Sequence, residues 1–528
     1  MYHLVHDNFS YCREGRRPGG CTMSVLVVGA GPTGLVTALV LAANGVSCRV
    51  LERHPQPTGG SRALGLQARS MEMLAELGLA EEIERVAYRL GGASIMRGDA
   101  ELSRLTWVPP RSRYPYTYVL PQPGLEDILR TRLHAVGVEI EYGAEVRTVV
   151  QDGDRVGVQI ADGRDLEARW LVGADGARSN VRESLGISFA GGATGETYYL
   201  GDIVLESAMS FRDSAMWLGP AGPLMLMRLP GAGGLWRVFV DMSDRARCEE
   251  LPEPSLVELQ ELLDERGASG MRITQVQWTS IFRTRVCLAD EYRRGSAFLA
   301  GDAAHIFPPF GGQGMNLGIQ DAVNLAWRLA QVESGASVDL LDEYETERRP
   351  VAASTIRDVE SRRRMYALRN PLARSLRDSV LRLGARIPGA ARQASLQNSQ
   401  LAIGYRGGSR WPLSRRPAIG DRAPDAALAE GTVHDRLGVD HFTLLHFRPG
   451  HRVDASNESV DTIGSTEQMA VVPIDHETDP AGEACDRYTM RKGGFVLIRP
   501  DGHVAYRGGE AAEVRRALAR FSGGDRSA

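Results

Sequence analysis

Glycines 29, 31 and 34 stand in the hexapeptide GAGPTG, directly behind the short apolar run 24–28. Glycines so spaced let main-chain amides approach an anion, because no Cβ stands in the way. Gly29 would permit a tight turn, Gly31 would let backbone come close to a pyrophosphate, and Gly34 would let a helix pack against a sheet. Pro32 and Thr33 would then open a helix whose N-terminus carries the phosphates. Glu52, with Arg53 beside it, follows the next β-like run, 46–51, and is placed to accept from a ribose hydroxyl. A second cluster sits far downstream, where Asp302 follows the apolar run 297–300 and precedes AAHIFPPFGGQG. Asp302 could bind a ribityl or diphosphate-proximal hydroxyl. The amides of Gly312, Gly314, Met315 and Asn316, beyond Pro309, would face an anionic ring edge from a helix N-terminus.

These residues need particular elements to hold them. The order strand 24–28, glycine turn, helix-patterned LVTALVLAANG, strand 46–51 and Glu52 is the context of a dinucleotide fingerprint. It does not by itself separate NAD from FAD. The second cluster does, because a strand, a Gly-Pro-rich loop and the helical pattern MNLGIQDAVNLAWRLAQV suit a long ligand crossing the sheet. Reduced flavin is negative at its pyrimidine edge, which gives a helix N-terminus there a purpose. FAD is the expected cofactor.

The 528 residues predict about three to four domains. A composition 43% hydrophobic and 24% charged excludes a disordered or coiled-coil chain. No apolar run is long enough to predict a membrane span, and a net charge of −4 gives no basic excess for nucleic acid. Lys492 is the only lysine, so Schiff-base and P-loop chemistry drop out. The cysteines at 12, 21, 48, 248, 287 and 485 lack C-x-x-C or metal-ligand spacing, so no zinc site or disulfide framework is expected and a reducing cytoplasm is. Residues 1–22 have no apolar core of a signal peptide and read as a disordered extension.

Residues 23–370 resemble the class A flavoprotein monooxygenases, aromatic-ring hydroxylases with one FAD-binding Rossmann domain. Four motifs carry the resemblance: GAGPTG with Glu52, SRALGLQARSMEMLAELGL at 61–79, LVGADGARS at 171–179 and GDAAHIFPPFGGQGMN at 301–316. It implies that Arg62 lies near the flavin, that Gln122 meets the ribityl chain, and that Asp175 serves FAD and the nicotinamide cofactor. The fold implied is α/β: a Rossmann-type FAD-binding domain, with an inserted antiparallel-sheet substrate domain and a C-terminal thioredoxin-like domain.

Within the unit 23–395, residues 199–289 alternate as strands separated by GPAGP and PGAGG, and this is the expected substrate sheet. Met209, Met216, Met225, Met227 and Met242 fall in it, either lining a pocket for a flat aromatic or filling the domain's core. A helical pattern over 342–367 should kink or end at Pro350, and Arg362–Arg364 reads as a solvated face. The unit 396–528 resembles the thioredoxin-like domain of the phenol-hydroxylase and polyketide-hydroxylase branch. Without C-x-x-C its expected role is structural or a homodimer contact.

The resemblance implies NAD(P)H-dependent hydroxylation of an aromatic substrate by dioxygen through a flavin hydroperoxide. The substrate expected is a polycyclic aromatic polyketide or related antibiotic. Loss of a phenolic proton could call on Tyr116, Tyr118 or His305, although each has an ordinary structural role open to it. Two other readings stay open on the residues alone, an FAD-dependent oxidase or dehydrogenase and a flavin-binding paralogue that holds an intermediate without turnover.

Overall fold

The structure, a computed structural model, describes residues 23–60, 63–106, 112–207, 213–231, 234–247, 250–268, 270–308, 311–384, 387–406, 416–448 and 468–522. The expected N-terminal extension, Arg62, Met209 and Pro309 lie outside the described residues.

The apolar run ahead of the glycines forms the strand Met23–Val28, whose Val25, Leu26 and Val27 are fully buried. It pairs in parallel with Cys48–Glu52 on one side and Asp165–Gly173 on the other, and Asp165–Gly173 pairs in parallel with Ala297–Leu299. A parallel sheet buries both faces and needs helices to cover them. The helix Pro32–Ala43 does this and packs against Gly314–Glu333, whose residues from Asn316 to Val332 are all buried. Because the four strands are parallel, their C-terminal ends share one sheet edge. Gly29, Glu52, Asp175 and Asp302 therefore arrive together from distant parts of the chain.

The second sheet runs in the order His305–Ile306, Met271–Ala289, Phe189–Ser207, Leu235–Asp241, Gly222–Arg228, Ser214–Gly219, Gly92–Arg97, Ala100–Thr106. It is wider than the limits 199–289 expected from alternation. Two strands come from an earlier segment and join by a parallel pairing, Ala215 opposite Ser94, which local periodicity does not encode. The helix Leu256–Glu265 packs on one face, over Tyr199, Ile203, Leu226, Val238 and Met242. Alternation turns Tyr198, Leu200, Phe239 and Met225 to the other face, with Trp278 and Phe282.

The helix Asp342–Tyr366 continues through Pro350 instead of ending there. Pro350 lies on its exposed side, where water can take the freed carbonyl, while the neighbouring Arg348 and Val351 are buried anchors. At the C-terminal end a four-stranded sheet is ordered Met469–Ile474, Phe442–Phe447, Gly494–Ile498, Val504–Gly508. Its first pair is parallel and the others antiparallel. The last hairpin closes where Gly502 N–H donates to Arg499 O and Arg499 N–H to His503 O, each at 2.8 Å. Among the described residues no helix is long and apolar enough to cross a membrane.

Candidate active site

The three glycines of GAGPTG do three different jobs. Gly29 has φ +106°, and a Cβ there would meet Ala174 O at 2.3 Å. A Cβ at Gly34 would meet Gly29 O at 2.0 Å, so this glycine lets the helix sit against its own turn. At Gly31 nothing lies within 4 Å of where a Cβ would stand. Packing does not demand that glycine, and the space it leaves open belongs to a cavity.

That cavity, about 240 Å³, is lined by Gly29, Gly31, Glu52, Arg53, Gln122 and Asp175, all sequence candidates. Glu52 faces it and also pins the turn, since its Oε2 accepts from Ala30 N–H at 2.8 Å and its Oε1 from His54 N–H at 3.0 Å. Gln122, at the start of the helix Gln122–Ala135, donates to Glu126 Oε1 at 2.8 Å. Asp175 Oδ2 accepts from Val181 N–H at 3.1 Å, whereas its Oδ1 is buried without a hydrogen-bond partner. Burial pushes the Asp175 carboxyl above its usual range. An unsatisfied buried acceptor beside an open glycine turn suits a ligand rich in hydroxyl groups. Arg130, Tyr142 and Asn180 also line the cavity and were not anticipated; no motif marks them.

Thr33 joins this locus to the second motif. A Cβ at Gly301 would approach Thr33 Oγ1 to 2.6 Å and one at Gly318 to 2.4 Å, so both glycines make room for one threonine. Asp302 stands exposed in the turn Gly301–Ala303 at the same sheet edge. Beyond it, the helix Gly314–Glu333 starts without a side-chain cap, with Gly314 and Met315 half-buried in its first turn. Asn316 is buried and acts as a fastener: its Oδ1 accepts from Gln67 N–H, and its Nδ2 donates to Gly65 O and Gly312 O, all at 2.7 Å. Gln67 in turn bonds Gly311 O at 3.1 Å and accepts from Thr117 Oγ1 at 3.1 Å. This Gln67–Thr117 brace was not foreseen, because neither residue belongs to the glycine-rich loop it holds.

The second sheet is tied to this loop region at two places. At one, Met227 and Leu235 pack with Leu64 and Val119. At the other, Arg363 pairs with Glu196 on the sheet, while its neighbour Arg362 bonds Asn398 Oδ1 at 3.2 Å beside Gly311. Of the run 362–364 only Arg364 is solvated, so the expected solvated face is corrected: the other two are half-buried and engaged by Asn398 and Glu196. The methionines divide. Met242 fills the helix-covered core, and Met216, Met225 and Met227 are half-buried on the opposite face.

The three candidates for proton handling are engaged in other contacts. Tyr118 is buried, with its hydroxyl donating to Glu84 Oε1 at 2.9 Å, and burial raises its pKa. Tyr116 meets Tyr118 edge to face at a 6.2 Å ring separation, on the side of the strand away from Thr117. His305 is fully buried: its Nε2 lies 2.7 Å from Asp321 Oδ2, and Arg348 Nε donates to Asp321 Oδ1 at 2.7 Å. Burial alone would raise Asp321, but Arg348 and His305 outweigh it and hold the carboxylate low. This triad braces the loop behind the site.

Residues 22–359 match the FAD binding domain family, and residues 416–524 match the family of aromatic-ring hydroxylase C-terminal regions. The chain belongs to the FAD-dependent aromatic-ring hydroxylases. It is 33% identical to a rifampicin monooxygenase of Streptomyces venezuelae over 93% of this chain and 96% of that one. It is 32% identical to a 6-methylpretetramide 4-monooxygenase of Streptomyces rimosus, over 92% of this chain and 90% of the relative. The solved structure of the OxyS anhydrotetracycline hydroxylase of Streptomyces rimosus superposes with a TM-score of 0.75, at 29% identity, covering 95% of this chain and 99% of that one. FAD is thus the cofactor, and the open Gly31 turn and the orphaned Asp175 oxygen fit it. The matched relatives are named monooxygenases, which supports the hydroxylase reading over the oxidase and sequestering ones.

Proposed function

We propose that this chain hydroxylates a polycyclic aromatic substrate of the polyketide or ansamycin kind, with NADPH or NADH as reductant. Bound FAD supplies the electron relay and the activation of dioxygen. The chain supplies position and environment. Gly31 and the start of Pro32–Ala43 would take the diphosphate, Glu52 and Asp175 hydroxyl groups at the adenosine end, and Gln122 and Asp302 the ribityl side. The uncapped amides of Gly312, Gly314, Met315 and Asn316 would hold negative charge at the ring. The observation that carries the substrate class is one face of the second sheet, where half-buried Met225, Met227, Trp278 and Phe282 surround the buried Tyr198, Leu200 and Phe239 with aromatic and thioether groups. Matches to rifampicin and tetracycline-type monooxygenases over nearly their whole lengths support it.

The C-terminal unit, 396–528, is read as thioredoxin-like, supported by a parallel pair followed by an antiparallel hairpin in one four-stranded sheet. Cys485 stands alone in it, and burial pushes that thiol up to about 11, so its role is structural or a contact between two copies. Free thiols at Cys48, Cys287 and Cys485 suit a reducing cytoplasm. The test is anaerobic reduction of the holoenzyme by NADPH and by NADH, with and without rifampicin or anhydrotetracycline. The reading expects faster flavin bleaching with one of the compounds, then a hydroxylated product on admission of air. A flavin that neither nucleotide bleaches under any of these conditions contradicts it.

A further inference from the structure

Besides the Glu196–Arg363 pair, a buried ion pair stands among the aromatic side chains of the second sheet. Arg237 donates to Asp202 through Nε at 2.6 Å and Nη2 at 2.7 Å, a two-point contact across adjacent strands. The Arg237 side chain is 4% exposed and that of Asp202 17%. Trp278, opposite Asp202 on the next strand, covers the guanidinium at 5.0 Å. Met227 lies opposite Arg237 on the other side, so the row Trp278, Asp202, Arg237, Met227 crosses the roof. The pairing register slips between Asp202 and Ile203, a bulge that re-aims the local side chains. Burying an ion pair here is no stability gain over packed apolar residues, so a binding use is the better account of it.

We infer that Asp202 is the hydroxyl-recognising residue of the substrate site, accepting a hydrogen bond from a phenol or enol of the aromatic substrate. An ionised carboxylate has about four acceptor positions, and two are taken by Arg237. Arg237 fixes the carboxylate in direction, and 17% of the Asp202 side chain stays open. A hydrogen bond to a charged acceptor withdraws the phenolic proton toward Asp202 and enriches the ring carbons that the reaction oxidises. A ring lacking that hydroxyl leaves the carboxylate desolvated and unpaired, which is how a polar site rejects an analogue. The inference rests on the proposed substrate class.

The experiment uses the FAD-loaded full chain and two probes, 2-hydroxyanthraquinone and 2-methoxyanthraquinone, with binding read from the perturbed flavin spectrum. The native chain should bind the hydroxyl probe about tenfold or more tightly than its ether. Asp202→Asn should lose that preference by weakening only the hydroxyl probe. The paired change Asp202→Leu with Arg237→Met, which removes both charges, should keep the fold and lose the preference likewise. Equal binding of the two probes by the native chain, no binding of either, or an unchanged preference in both variants overturns the inference. Failure of the hydroxylation reading would appear elsewhere, as reduced flavin that yields no oxygenated product.

Discussion

Asp501 Oδ2 lies 2.9 Å from Nδ2 of Asn324, joining the last hairpin of the C-terminal unit to the helix that begins at the flavin-side loop. Both residues are fully buried. Arg499 bridges Asp501 and Glu347, and Arg328 also bonds Glu347, at 2.7 Å. The C-terminal unit is thereby fastened to the helix whose first turn faces the cofactor. Opposite charges hold Asp501 well below the usual carboxylate range against the burial that would raise it.

Removing Asp501 should therefore destabilise the whole enzyme. Asp501→Ala leaves Arg499 buried with half its compensation, a loss of about 3–5 kcal/mol. Thermal unfolding of the holoenzyme should show a Tm lower by several degrees, with FAD released in the same transition. A Tm equal to the native value would contradict the fastening.

Gly31 and Gly34 should fail in different ways. Gly31→Val has room in the protein and should leave the FAD-free fold intact while abolishing FAD retention. Gly34→Ala places a methyl group against Gly29 O and should lower the yield of folded protein. Flavin content per folded chain, measured beside circular dichroism, separates the two outcomes.

Glu76 predicts a pH dependence of stability. Both of its carboxylate oxygens are buried and unpartnered, and burial pushes its pKa up to about 8. The native state then keeps a proton that the unfolded chain releases near 4.5, so stability falls as pH rises until the folded pKa is passed. The buried His434, His446 and His503, lowered by desolvation, act in the opposite direction only up to about pH 6.5. Between pH 6.5 and 8 Glu76 and His441, whose pKa its hydrogen bond to Asp440 raises, both make stability fall as pH rises. Glu76→Gln should lessen that slope and raise stability at pH 8. Denaturant midpoints across that window check the sign.

Tyr118→Phe should leave hydroxylation within about twofold of native, since its hydroxyl is engaged by Glu84. His305→Ala should lower FAD retention through loss of the Asp321 brace, without moving the pH profile of turnover. A shifted profile would return His305 to proton handling.

The cofactor end was legible in the sequence because its requirements are local. A glycine with φ +106°, a helix N-terminus and a carboxylate at a strand end each leave a mark within a few residues. The substrate sheet was legible only in its middle. Its outer strands come from 92–106 and join through a parallel pairing with 214–219 that no short-range pattern announces. The fasteners were least visible: Gln67, Thr117, Arg363 and Asp501 act across long stretches of chain, and each looks like an ordinary polar residue in its own segment. Tyr118 and His305 carried a chemical possibility in the sequence beside an ordinary structural one, and both side chains are turned into the core.

The most direct test of the account is turnover of the FAD-loaded chain with NADPH or NADH and isotopically labelled dioxygen, using rifampicin and anhydrotetracycline as substrates. Hydroxylation predicts a product carrying one labelled oxygen on the polycyclic ring system, formed only with both nucleotide and substrate present. Nucleotide oxidation that yields peroxide and no labelled product from either compound would contradict it.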